Sequence, residues 1–137
     1  DLAISAGFLG GPRVSVWDGT AVLAGRTRAT DTPLANFFAF EDTLRNGCFV
    51  AVGDLNGDGK AELVFAGGPG GGPRVRLADA ATVLAAGGFG TLDRLPAADR
   101  GTFFAGNPDT RGGVRIAVRD ANDGPTLFVG SGEGLPS

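Results

Sequence analysis

Four oxygen-bearing side chains, Asp54, Asn56, Asp58 and Glu62, are spaced to share one cation. The first three alternate with Leu55 and Gly57, and Glu62 closes the run after Gly59, Lys60 and Ala61. A hard cation such as Ca²⁺ takes six or more oxygens on a flexible loop, whereas Mg²⁺ demands near-ideal octahedral geometry. Gly57 and Gly59 allow the tight path that brings the oxygens together. The predicted ligands are the side chains of Asp54, Asn56, Asp58 and Glu62, the carbonyl of Lys60, and water. An EF-hand is excluded, because position twelve of a loop that begins at Asp54 is Phe65, not a carboxylate. The competing reading is a plain hairpin turn, since Asn-Gly and Asp-Gly are strong turn signals.

Other chemistry is constrained by what is missing. The chain has no His, which removes His-based triads and the usual zinc sites. The single Cys48 has no partner for an internal disulfide and precedes an apolar run, so it reads as a small buried hydrophobe. The glycines at 67–72 lack the lysine of a phosphate-binding loop. The acids sit in turns or in the 54–62 loop, and no pair of them stands apart as a general acid and base. The net charge of −3, with Arg and Asp interspersed, offers no basic surface for nucleic acid. No apolar run approaches the ~20 residues that span a bilayer, so no membrane insertion is expected. With no Met, the chain is expected to be a processed product or an excised piece of something longer.

The acidic loop must be held by the apolar runs on either side, Phe49 to Val52 and Leu63 to Ala66, which read as paired strands. With 25 glycines yet 42% hydrophobic residues, the 137-residue chain favours many short strands and tight turns. It also repeats. Gly-Gly-Pro-Arg-Val occurs at 10–14 and at 71–75, an offset of 61 positions. Phe37-Phe38-Ala39 matches Phe103-Phe104-Ala105, and the stretch from Gly47 to Asp54 matches Gly113 to Asp120, at an offset of 66. The expected units are 1–61, 62–125, and 126–137 as the start of a third. The intact unit should hold four strands near 48–53, 62–67, 73–79 and 81–86, with Asp18-Gly19 and Asp79-Ala80 turning into the fourth. Val14 and Val16 should share a face with each other, as should Val75 and Leu77. Arg13, Ser15 and Trp17, like Arg74 and Arg76, should lie on the opposite face. The stretch from Leu34 to Arg45 reads as a helical turn or a crossing strand that packs aromatics between units. The five extra residues of the second unit fall within Leu84 to Arg100, expected to be a surface excursion.

The run from Asp54 to Pro69, followed by Gly70 to Val75, resembles the calcium-binding part of FG-GAP repeats, which build integrin α-chain β-propellers. It is closer to bacterial cell-surface repeats that carry Gly-Pro-Gly-Gly-Gly-Pro-Arg-Val after the loop. The family's Phe-Gly is spread here to Phe40 and Gly47, and the third acidic loop, at Asp120, Asn122 and Asp123, has lost residues. The resemblance implies an all-β protein of about two four-stranded antiparallel propeller blades, part of a larger ring or completed by oligomerisation. It implies Ca²⁺ at the outer hairpin and an extracellular or cell-surface setting. The expected function is non-enzymatic binding or adhesion to a protein or glycan ligand, with Arg13, Trp17, Arg74 and Arg76 as candidate contacts. A structural spacer of a surface protein and a carbohydrate-active enzyme fragment are the alternatives. Partners in assembly would be further copies of the chain or neighbouring blades of one parent.

Overall fold

Alternation of apolar and polar residues, and short apolar runs ended by glycine, become ten strands in the computed structural model, which describes residues 1–28, 30–120 and 122–132. The first sheet has the order β1 (Leu2–Ser5), β2 (Arg13–Trp17), β3 (Ala35–Phe38), β7 (Gly88–Thr91). The second runs β4 (Cys48–Gly53), β5 (Glu62–Gly67), β6 (Arg74–Asp79), β8 (Asp99–Phe104). The third pairs β9 (Val114–Arg119) with β10 (Thr126–Ser131). Pairing is antiparallel, apart from the parallel β3–β7 pair. Two short helices, α1 (Gly19–Leu23) and α2 (Ala80–Ala86), follow β2 and β6.

The sequence repeat is also a repeat of elements. Shifting β1 and β2 by 61 positions lands on β5 and β6, and shifting β3 and β4 by 66 lands on β8 and β9. The second sheet lies between the other two. Leu63, Phe65 and Ala78 pack with Val14, Val16 and Phe37 of the first sheet. Val64, Ala66 and Val75 face the other way, onto Val114, Ile116, Val118, Leu127 and Val129 of the third. That is why β5 is an unbroken apolar run after Glu62: alternate side chains enter two different cores. Phe37 meets Phe65 edge-on at 5.7 Å between ring centroids, so the aromatic stretch does pack between units, as a strand.

The glycine turns join the sheets through their backbones. Gly47 donates its N–H to Gly10 O and Gly113 donates to Gly71 O, at 3.0 and 3.2 Å. Both glycines have positive φ, and a Cβ on either would collide with a carbonyl of the preceding turn, Gly7 or Gly68. The glycine-rich turn at 67–72 is therefore occupied by chain, with Gly70 N–H donating to Arg111 O at 2.7 Å.

Two expectations are corrected. Residues 81–86 are not a strand but belong to α2, and the fourth strand of the second sheet is β8. Asp79 caps α2 by accepting the Thr82 N–H at 2.8 Å, and Asp18 caps α1 by accepting the Thr20 N–H at 2.9 Å. In both places an Asp cap ahead of a short segment that includes Ala and Leu, good helix formers, starts a helix, and the cap competes successfully with the turn. The stretch from Leu84 to Arg100 is not a surface excursion either. It supplies β7, a 3₁₀ turn at Leu92–Arg94, and the fully buried Leu92 and Ala98. Phe89 stacks on Phe37 at 4.9 Å, so apolar burial decided the fate of a stretch whose Gly and Ala content suggested a loop.

Candidate metal centre

β4 and β5 pair from Cys48 opposite Gly67 to Gly53 opposite Glu62, which brings the ends of the acidic loop together. Glu62 is 3% exposed. Its carboxylate accepts the Leu55 N–H at 2.7 Å and the Asn56 side-chain amide at 3.1 Å. Asp54 accepts the N–H of Gly57 at 2.7 Å on one oxygen and that of Gly59 at 2.8 Å on the other. Asn56 Oδ1 accepts the Asp58 N–H at 2.9 Å, and Asp58 accepts the Lys60 N–H at 2.8 Å. Gly57 and Gly59 both have positive φ, the conformation the path requires.

Each acid thus organises the loop from within and keeps acceptor capacity, since a carboxylate offers about four lone-pair sites. The donor set is all oxygen and mostly anionic, which fits a hard divalent cation in chemistry. The residues that would hold one are Asp54, Asn56, Asp58, Glu62 and the Lys60 carbonyl. Among the described residues, no three acidic side chains already converge as a cluster. Glu62 and Asp58 differ in kind: one is buried and tied to the loop's start, the other exposed at its tip.

The related positions are weaker. Asp1, the counterpart of Glu62, accepts the Gly19 N–H at 3.3 Å. In the third loop Asp123 pairs with Arg119 at 3.5 Å, and Ala121 lies outside the described residues.

The candidate contact residues divide. Arg13 is exposed and its Nε donates to Asn36 Oδ1 at 2.7 Å. Trp17 donates its indole N–H to Ser15 Oγ at 3.0 Å. Arg13 and Trp17 line one shallow recess of about 340 Å³ with Asp31, Pro33 and Asn36. Arg74 sits over Phe40, 5.0 Å from the ring centroid, and binds Glu41 at 2.7 Å. With Glu41, Phe104 and Arg111 it lines a recess of about 400 Å³. Arg76 does not face solvent and is no surface contact: it is 3% exposed and pairs with Asp93 at 2.8 Å and Asp99 at 2.7 Å. Its Nη1 also donates to Ala39 O at 3.2 Å, while its buried Nε has no partner among the described residues. Burial pulls the Asp99 carboxyl up, but the Arg76 hydrogen bond, the Gly101 N–H and the charges of Arg76 and Arg74 together outweigh it and hold the group below the ordinary range. Both acids come from the corrected 84–100 stretch, so nothing near Arg76 in sequence announces them.

Sequence reasoning also missed a repeated clamp. Arg45 Nη1 donates to the carbonyls of Asp42 and Leu44, and Arg111 Nη1, 66 positions later, donates to those of Pro108 and Thr110. The offset itself was the available signal. Cys48 is buried, and burial pushes its thiol up to about 12, partly offset by a hydrogen bond with Ser5, so it is no nucleophile at neutral pH.

Comparison with protein-family profiles, with curated proteins and with solved structures gives no match.

Proposed function

We propose that the chain is a calcium-stabilised β-propeller repeat module, serving non-enzymatic binding or adhesion outside the cell. The observation that carries this reading is the central sheet: a repeat unit apolar on both faces, stacked between its neighbours, with an acidic oxygen-rich loop joining its first two strands. Sheets stacked in this way are the blades of a larger ring in this reading, because propellers need four to eight. Further copies of the chain, or neighbouring blades of one parent, complete it. Calcium stiffens the hairpin, and the exposed Arg13 and Trp17 recess is the surface offered to a protein or glycan ligand.

Calorimetric titration of Ca²⁺ into chelator-treated protein tests the metal. Affinity in the range of extracellular modules, about 10⁻⁴ to 10⁻³ M, is expected. Asp58→Ala is the informative variant, because Asp58 is exposed at the loop tip and its loss should leave the sheets intact. At a hundredfold excess over the dissociation constant, Ca²⁺ should stabilise the wild type by about 2.7 kcal/mol. Neither binding heat nor a melting shift in the wild type, or equal binding by Asp58→Ala, reduces the loop to a turn.

A further inference from the structure

Among the described residues the outer edge of β8 carries no strand, and the chain itself shows what covers such an edge. Among the described residues β8 ends its sheet, with β6 on one side and no strand on the other. Its repeat counterpart, β3, is covered by β7, with Asn36 opposite Gly88 and Phe38 opposite Thr91 in a parallel pair. Asn36 donates its N–H to Gly87 O at 3.1 Å, and Phe89 lies flat on Phe37, the rings 10° from parallel. Phe37 is consequently 2% exposed, whereas its counterpart Phe103 is 42% exposed and neighbouring Phe104 is 52% exposed.

The backbone is poised in the same way. Ala39 N–H bonds Pro12 O and Ala105 N–H bonds Pro73 O, each at 2.8 Å. Ladder bonds alternate along an antiparallel pair, so Asn36 and Phe38 turn their backbone groups outward to β7, and Thr102 and Phe104 turn theirs to the open edge. Unpaired strand edges bordered by apolar side chains are templates for an added strand.

We propose that the β8 edge accepts, in parallel, an extended small–aromatic–small segment from a partner polypeptide. The chemistry is that of Gly-Phe-Gly-Thr at 88–91: small residues let the backbone lie close to the edge, and the aromatic ring stacks on Phe103 as Phe89 stacks on Phe37. The inference does not depend on calcium.

The probe is a capped synthetic peptide, Gly-Gly-Phe-Gly-Thr-Leu, added to the isotope-labelled full chain while amide exchange is followed by NMR. Saturating peptide should slow exchange at Thr102 and Phe104 by about tenfold or more, as pairing protects edge amides. A peptide with Ala in place of Phe should bind about tenfold more weakly, the size of a lost aromatic pair. Thr102→Pro, which removes an outward N–H from an edge position, should abolish the protection. Phe103→Ala, at an exposed side chain, is the second variant should Thr102→Pro fail to fold, and it should weaken binding as the alanine peptide does. The proposal is overturned by no protection up to about 1 mM peptide, or by protection indifferent to the aromatic ring. It is equally overturned by protection that rises with chain concentration alone, which gives the edge to a second copy.

Discussion

The first and second sheets are built from the same repeat, yet one is covered on one face and the other on both. Leu63 and Phe65 of β5 are 3% and 0% exposed, whereas the corresponding Leu2 and Ile4 of β1 are 41% and 48% exposed. At the position where the second sheet has buried Arg76, the first has Ser15. Where the second has Ala78, the first has Trp17. Burial on both faces demands apolar continuity and an ion-paired charge; burial on one face leaves room for polar and aromatic side chains at the surface.

The comparison breaks most severely where the two sheets are joined. Deleting residues 87–91 removes β7 and the Phe89 ring that stacks on Phe37. A surface loop would tolerate the loss. The expected result is a protein that no longer melts cooperatively, read by circular dichroism, and a cooperative melt close to wild type would return the stretch to the surface.

Next in size is truncation of a side chain between the sheets. Phe65→Ala should cost about 3–5 kcal/mol, as for other buried aromatics. Ile4→Ala, half exposed on the outer face, should cost less than about 1 kcal/mol. Urea denaturation measures both, and similar losses at the two sites would mean that the first sheet is covered in solution.

Smaller still is the loss of Arg76, which leaves the buried Ala39 carbonyl and the part-buried Asp99 carboxylate without their donor, at a cost of about 1–3 kcal/mol. Ser15→Ala, at the corresponding position, should change stability by less than about 0.5 kcal/mol. The pair also sets a pH dependence. Asp99 is held below its ordinary pKa, so its contribution is fully present above about pH 4 and is lost as pH falls through the lower folded value. Asp79 behaves alike, because hydrogen bonds from Thr82 stabilise its charged form. Melting between pH 7 and pH 2 should show this acid decline in the wild type and a shallower one in Arg76→Ala. Identical declines would remove the Arg76–Asp99 pair from the account.

Much of this was legible in the residues, for reasons that can be named. β4, β5 and the hairpin between them follow from two apolar runs around a glycine-rich polar loop. Val14 and Val16 fall on one buried face because the strand period is two, and the repeat offsets place β8 and β9 once β3 and β4 are known. What was not legible depends on contacts distant in sequence. Arg76 reads as a surface cation until Asp93 and Asp99 are folded against it. Phe89 and Leu92 read as loop until Phe37 stands opposite. The helix α2 was legible in principle, since Asp79 followed by Ala, Ala, Thr, Val and Leu carries a cap and three good helix formers among five residues, but periodicity over six residues cannot separate it from a strand. Within the acidic loop, the hairpin connection was legible and the division between buried Glu62 and exposed Asp58 was not.

Native-state hydrogen exchange resolved by residue tests the central claim, that the second sheet is the common core of the stack. The account predicts the slowest exchange at β5, whose ladder is flanked by two cores, with amides opening only on global unfolding. It predicts faster exchange at β1 and β10, the strands at the ends of the stack. Protection at β5 no greater than at β1 or β10 would contradict the claim and leave three sheets that fold independently.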